Sequence, residues 1–206
     1  MDDESTAGRS AARAHGVDAP LTPHESALLE AALDYVRAGL PVFPCHAPLP
    51  GGSGRRCTCA PDADACPAGK PGKHPRTANG LHSATTDDGL VRGWWSGPWR
   101  GSNVAIVAPK WGVILDIDVG AGHGGVNGFE LLDALEAEHE ELPDGPRTWT
   151  GSRGAHCLFR LPPGVEHGNE SGALPKGLDI RGGGRGYIIA PPSLHSSGNA
   201  YRWQVM

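Results

Sequence analysis

Residues 112–119 read Gly112-Val-Ile-Leu-Asp-Ile-Asp-Val119, an aliphatic, β-branched run interrupted twice by aspartate. Such a run predicts a buried strand. Side chains alternate between the two faces of a strand, so Asp116 and Asp118 share one face while Leu115, Ile117 and Val119 turn to the other. Aspartate is a poor strand former, and two like charges on one face repel. Both penalties fall away when a divalent cation sits between the carboxylates, because Mg²⁺ and Mn²⁺ prefer oxygen ligands. A solvated strand end is the alternative reading.

Two further stretches repeat the theme. Thr150-Gly-Ser-Arg-Gly-Ala-His156 is a Gly/Ser turn leading into an apolar strand. Backbone N–H groups of such a turn can cradle phosphate, and Arg153 and His156 add positive charge or donors. A purely structural histidine is the alternative. Leu178-Asp-Ile-Arg-Gly-Gly-Gly-Arg-Gly-Tyr187 again buries an aspartate, Asp179, in a strand-like run, followed by Arg181, glycines and Arg185. Three strand-borne aspartates, one histidine and several arginines on glycine turns suit metal-assisted phosphoryl or nucleotidyl transfer.

Around these stretches the chain predicts an α+β domain with a mixed or antiparallel sheet. Residues 1–21 lack any apolar period and predict a disordered tail. A helix follows with Thr22 as N-cap, Pro23 at its first position and Glu25 completing a capping box; Gly39 stops it. Residues 86–95 predict a second helix capped by Thr86, with Leu90, Val91, Trp94 and Trp95 on one face, and 127–139 a third. Strands are expected at 41–44, 103–107, 147–150, 155–161, 178–180, 187–190 and 201–204. No Walker-type phosphate loop is present.

The chain has 206 residues, 38% of them hydrophobic, and a formal net charge of −5. Charge is unevenly spread. Residues 50–110 carry eight basic and four acidic side chains, 146–206 seven and three, and 111–145 nine acidic and no basic. Local field rather than net charge attracts a polyanion, so two basic blocks flanking an acidic one leave nucleic acid open as a partner. No stretch has the apolar length of a membrane span, and the amino terminus lacks signal-peptide order, so a cytoplasmic monomer is the expectation.

Residues 45–82 hold four of the five cysteines in Gly/Pro-rich sequence with almost no apolar period. A loop of that length needs something to order it. Cys57, Cys59, Cys66 and His74 suit tetrahedral Zn²⁺, and four protein ligands point to a structural rather than a catalytic ion. Cys45 and His46 compete as ligands; free thiols in a mobile loop are the alternative. Lys70, Lys73 and Arg76 beside the cluster are candidates for contacts to nucleic-acid phosphates.

With these motifs in this order, the sequence resembles the bifunctional DNA primase/polymerase amino-terminal domain (prim-pol) of the archaeo-eukaryotic primase superfamily. The resemblance rests on Ala38-Gly-Leu-Pro-Val-Phe-Pro44, Gly72-Lys-His-Pro75, Trp94-Trp95 with Asn103-Val-Ala-Ile106, Leu115-Asp-Ile-Asp118, Gly151-Ser-Arg-Gly-Ala-His156, Gly177-Leu-Asp-Ile-Arg-Gly182 and Tyr187-Ile-Ile-Ala-Pro-Pro-Ser193 followed by His195, Gly198, Tyr201 and Trp203. It implies a catalytic domain over 22–206, with 45–82 as a zinc-loop insertion and an RRM-like sheet packed against an α/β unit. It further implies that Asp116, Asp118 and Asp179 hold two catalytic Mg²⁺ or Mn²⁺ ions. His156, with Ser152, Arg153 and Arg181, would meet the incoming nucleotide. The family often has glycine where Arg153 stands. The implied activity is template-directed nucleotidyl transfer from (deoxy)nucleoside triphosphates on a DNA template and primer. Unwinding would fall to a separate or carboxy-terminal helicase. A non-catalytic nucleic-acid-binding module and a metal-dependent nuclease are the competing readings.

Overall fold

A computed structural model of the chain describes residues 19–50, 54–120, 124–169 and 174–205. Residues 1–18, on which most of the expected disordered tail falls, lie outside the described residues. Helix α1 (Pro23–Arg37) begins as its sequence dictates: the Glu25 N–H donates to the Thr22 hydroxyl and the Thr22 N–H to the Glu25 carboxylate, at 3.3 and 2.7 Å. Gly39, at φ 76°, ends the run. Helix α2 (Asp88–Ser96) starts one residue later than expected. Asp87, not Thr86, is its cap, accepting from the Leu90 N–H at 2.8 Å, a charge-assisted bond that a threonine hydroxyl cannot match. Its buried face is Val91 and Trp95; Leu90 is 53% exposed and does not join it.

Strands β1 (Val42–Cys45), β2 (Asn103–Val107) and β9 (Tyr187–Ile189) form an antiparallel sheet in the order β1-β2-β9. Every residue of β2 is buried, which explains its lack of polar alternation. Val42, Val104, Ile106 and Ile188 pack against α1 and α2, while Phe43, Cys45, Ala105, Val107 and Ile189 form a second core with Tyr201.

A second antiparallel sheet has the order β10-β6-β7-β3-β8, built from β3 (Gly112–Ile117), β6 (Arg147–Trp149), β7 (Ala155–Arg160), β8 (Leu178–Gly182) and β10 (Arg202–Trp203). Helix α3 (Gly128–Glu138) lies on its outer face, where Leu115, Ile117, Ala155, Cys157 and Leu178 meet Phe129, Leu131, Leu132 and Leu135. On the inner face Ile114 and Leu158 join the core of the first sheet. The two sheets are thus packed together at one end of β3. At the other end of that face lies Asp116.

The strand expected over 112–119 is broken. β3 stops at Ile117, and β4 (Val119–Gly120) pairs instead with β5 (Val126–Asn127) in a short ribbon. The backbone of Asp118 causes the break: its N–H donates to the Gly177 carbonyl at 2.8 Å and its carbonyl accepts from the Gly128 N–H at 2.9 Å. A Cβ on Gly128 would lie 2.5 Å from the Gly177 oxygen, so only glycine permits this crossing. Among the described residues no helix is long and apolar enough to cross a membrane.

Candidate catalytic cleft and metal cluster

Strand register assembles the site. Asp116 on β3 lies directly opposite His156 on β7 and directly opposite Asp179 on β8, so all three share the inner face. Directly opposed carboxylates repel. Arg181, two residues along β8, lies across both: its Nη2 is 3.1 Å from Asp116 and 3.2 Å from Asp179. The Nε of the same arginine is buried with no hydrogen-bond partner. Two opposed carboxylates, a third in Asp118 lining the same cleft, and a buried N–H in want of an acceptor fit a hard divalent cation and an anionic ligand.

His156 is buried. Its Nδ1 is 3.2 Å from the Thr148 hydroxyl and its Nε2 3.5 Å from an Asp116 oxygen, with Tyr201 stacked on the ring at 6.0 Å between centroids. Burial, aided by Lys73 and Arg181 and opposed by Asp116, pushes its pKa down to about 4. His156 is therefore neutral at neutral pH.

Asp116, Asp118 and His156 line a cleft of about 410 Å³ between the two sheets. The turn at 150–154 supplies Thr150 and Ser152, the cysteine loop supplies Lys70 and Lys73, and the chain from β8 into β9 supplies Arg181, Arg185 and Tyr187. Asp179 reaches the cleft through Arg181. Two candidates lie elsewhere. Arg76 donates to the Ser102 hydroxyl at 3.0 Å and does not line the cleft. Arg153 is exposed, outside the cleft lining, and has φ 73°, a left-handed backbone that only glycine adopts freely. That backbone would suit a glycine better than an arginine. Arg153→Gly is expected to leave the turn intact and to raise stability by up to about 1 kcal/mol, read as a urea midpoint. A destabilised variant would mean that the arginine side chain makes contacts outweighing the strain.

Several groups at the site carry no signal in the sequence. Thr148 is fully buried against His156, and Asn169 lines the cleft from a loop with no motif. Tyr201 and Tyr187 stand in the carboxy-terminal signature, but only the structure shows one stacked on His156 and the other in the cleft wall.

The cysteine loop closes as expected. Cys57, Cys59, Cys66 and His74 place their ligand atoms within 4.8 Å of one another. Cys57 and Cys66 sulfurs are each 3.3 Å from His74 Nε2, and Cys59 is 3.6 Å from Cys66. Usual zinc bond lengths give tetrahedral edges of roughly 3.5 and 3.8 Å for these pairs, so the set could hold zinc after a slight expansion. Neither competing ligand joins it. Cys45 is buried in the second core, and His46 stacks on His74 at 4.7 Å while its Nδ1 faces the Thr58 hydroxyl at 3.0 Å.

Burial also pushes the pKa of His46 and of His195 down to about 4. An unfolded chain takes up these protons near pH 6.5, before the folded one does. Stability is expected to be level above about pH 7 and to fall as the pH drops from 6.5 toward 4. His156→Gln should shallow that fall. A urea midpoint unchanged down to pH 4 would contradict the burial of neutral imidazoles.

No curated protein is matched. The family described as bifunctional DNA primase/polymerase, N-terminal, matches residues 32–205, a span that takes in every element of both sheets. The chain belongs to the bifunctional DNA primase/polymerase N-terminal family.

Proposed function

We propose that this chain joins nucleotides from (deoxy)nucleoside triphosphates onto a primer strand, directed by a DNA template. The observation that carries this reading is Asp116 flanked across the sheet by Asp179 and His156, in a cleft also lined by Lys70, Lys73, Arg181 and Arg185. Asp116, Asp118 and Asp179 would hold two Mg²⁺ or Mn²⁺ ions. Such ions supply a more acidic primer 3′-hydroxyl and neutralise charge on the triphosphate and the leaving pyrophosphate.

The remaining work falls to the chain's own groups. A Thr148 hydroxyl donating to Nδ1 leaves the neutral His156 with its proton on Nε2, which faces the cleft side of Asp116. With a pKa near 4 this ring is a poor base at neutral pH. It acts as a hydrogen-bond donor to phosphate. Arg181, paired with Asp116 and Asp179 as described, would be available to phosphate if the carboxylates held metal ions instead. That same pairing is the one observation that favours a non-catalytic binding module, since the carboxylates already have a cation.

A primer-synthesis and extension assay on single-stranded template, with and without Mn²⁺, tests the proposal. The expected products are an extended strand and one pyrophosphate per nucleotide joined. Release of nucleoside monophosphate from DNA would assign the carboxylates to a nuclease, and template binding with no product under either ion would favour the binding module.

A further inference from the structure

We infer that the cysteine loop forms part of the triphosphate subsite: Lys70 and Lys73 grip the phosphate chain of the incoming nucleotide, and the metal held by Cys57, Cys59, Cys66 and His74 keeps them in place. This rests on the reading that the cleft takes a nucleoside triphosphate.

Both lysines lie between two ligands of the cluster, in Cys66-Pro-Ala-Gly-Lys-Pro-Gly-Lys-His74. Both line the same cleft as Asp116 and Asp118. Lys73 shares that lining with His156, Thr150 and Ser152 as well. Carboxylates on one wall and lysines on another leave a slot whose two sides suit metal ions and phosphate oxygens respectively. A cleft of about 410 Å³ is the size of a small-molecule site rather than of a duplex.

The segment is anchored as a positioned element would be. The buried Asn103 side chain donates to the Gly72 carbonyl at 2.9 Å. The Tyr187 hydroxyl, from the cleft wall, donates to the Lys73 carbonyl at 2.8 Å. Gly72 has φ 79°, and a Cβ there would lie 2.8 Å from Pro48 Cδ. Lys73 is therefore held from both sides: by His74 in the cluster and by Tyr187 in the cleft. Lys70 is tied to the cluster through Cys66 and to Lys73, whose N–H donates to the Lys70 carbonyl at 3.1 Å. Loss of the metal removes the cluster anchor from both lysines and leaves the segment on its hydrogen bonds to Asn103 and Tyr187.

Direct binding distinguishes this inference from the proposed function. The whole chain is titrated with a fluorescent, non-hydrolysable nucleoside triphosphate in Mg²⁺, and separately with a labelled single-stranded oligonucleotide. Zinc content is measured on every sample. Lys70→Ala/Lys73→Ala is expected to weaken triphosphate binding by roughly ten- to a hundredfold with zinc retained, about 1.4–2.7 kcal/mol for the pair together. Chelator-treated protein and Cys66→Ser should weaken it less, and Tyr187→Phe least. Lys110→Ala, a charge loss outside the cleft, should leave it unchanged. If Cys66→Ser fails to fold, the lysine pair and Tyr187→Phe, which keep all four ligands, still decide the matter. Unchanged triphosphate affinity in the lysine pair overturns the inference and leaves the proposed function standing, and selective loss of oligonucleotide binding reassigns the lysines to the template. A wild-type chain that binds no triphosphate overturns both.

Discussion

Replacing Asp116 by alanine is expected to reduce nucleotide incorporation by on the order of a thousandfold or more while leaving the fold in place. A metal ligand contributes several kcal/mol of charge stabilisation at the transition state, and about 4 kcal/mol corresponds to a factor near a thousand. The fold should survive because the strand is held by its aliphatic neighbours: Ile114, Leu115 and Ile117 are buried, whereas the Asp116 side chain pairs with Arg181 and His156 on the cleft face. The substitution also removes a carboxylate opposed to Asp179, so one repulsion is relieved as one ion pair is lost. Arg181 keeps Asp179 as partner. A thermal midpoint and circular-dichroism spectrum close to wild type are therefore the expected controls. Near-wild-type primer extension by a folded Asp116→Ala chain would remove the carboxylate cluster from the mechanism.

Asp116 is anomalous in the sequence itself, because aspartate among leucine and isoleucine has no comfortable strand position. The same local signal marks Asp179. It cannot show that the two stand opposite each other, because register depends on pairing between strands distant in the chain. Helix α1 is legible to its capping box, since all its signals lie within a turn of one another. The cap of α2 falls one residue from its expected place because Thr86 and Asp87 are both competent caps, and only the backbone path selects one. The break after Ile117 is not legible: it comes from hydrogen bonds to Gly177 and Gly128. Arg153 and Arg76 stand out in the sequence for their charge. Composition carries no information about the direction a side chain takes, and neither lines the cleft.

Removal of the metal from the cysteine cluster is expected to give the largest loss of stability. Structural zinc contributes on the order of 10 kcal/mol in small zinc-binding peptides, where nothing else holds the chain. Here backbone bonds from His46 to His74 and from Arg76 to Pro44 pin the loop to β1, so a loss of several kcal/mol is the expectation rather than complete unfolding. The purified chain should carry about one zinc per molecule. After chelation the thiols of Cys57, Cys59 and Cys66 should react rapidly with a thiol reagent. Cys45 and Cys157, at 0% and 3% exposure within the cores of the two sheets, should stay protected until global unfolding. Protein purified without zinc, with all of the loop thiols reactive and an unchanged thermal midpoint, would show that the cluster is not a structural metal site.

The strand order of the larger sheet has a consequence for the making of the protein. β3 is synthesised first of its three central strands yet sits between the two made later, β7 and β8. Asp116 and Arg181 are 65 positions apart, so the carboxylate waits for its neighbours through most of the second half of translation. A nascent chain that has passed Ile117 holds a bare acidic edge; one that has passed Arg160 has gained His156 alone; only past Gly182 do all the charges meet. Pairing at such separation is slow compared with helix formation. Chain growth thus brings Asp116, His156, Asp179 and Arg181 together only when the larger sheet is nearly complete, a timing written into topology rather than into any single side chain.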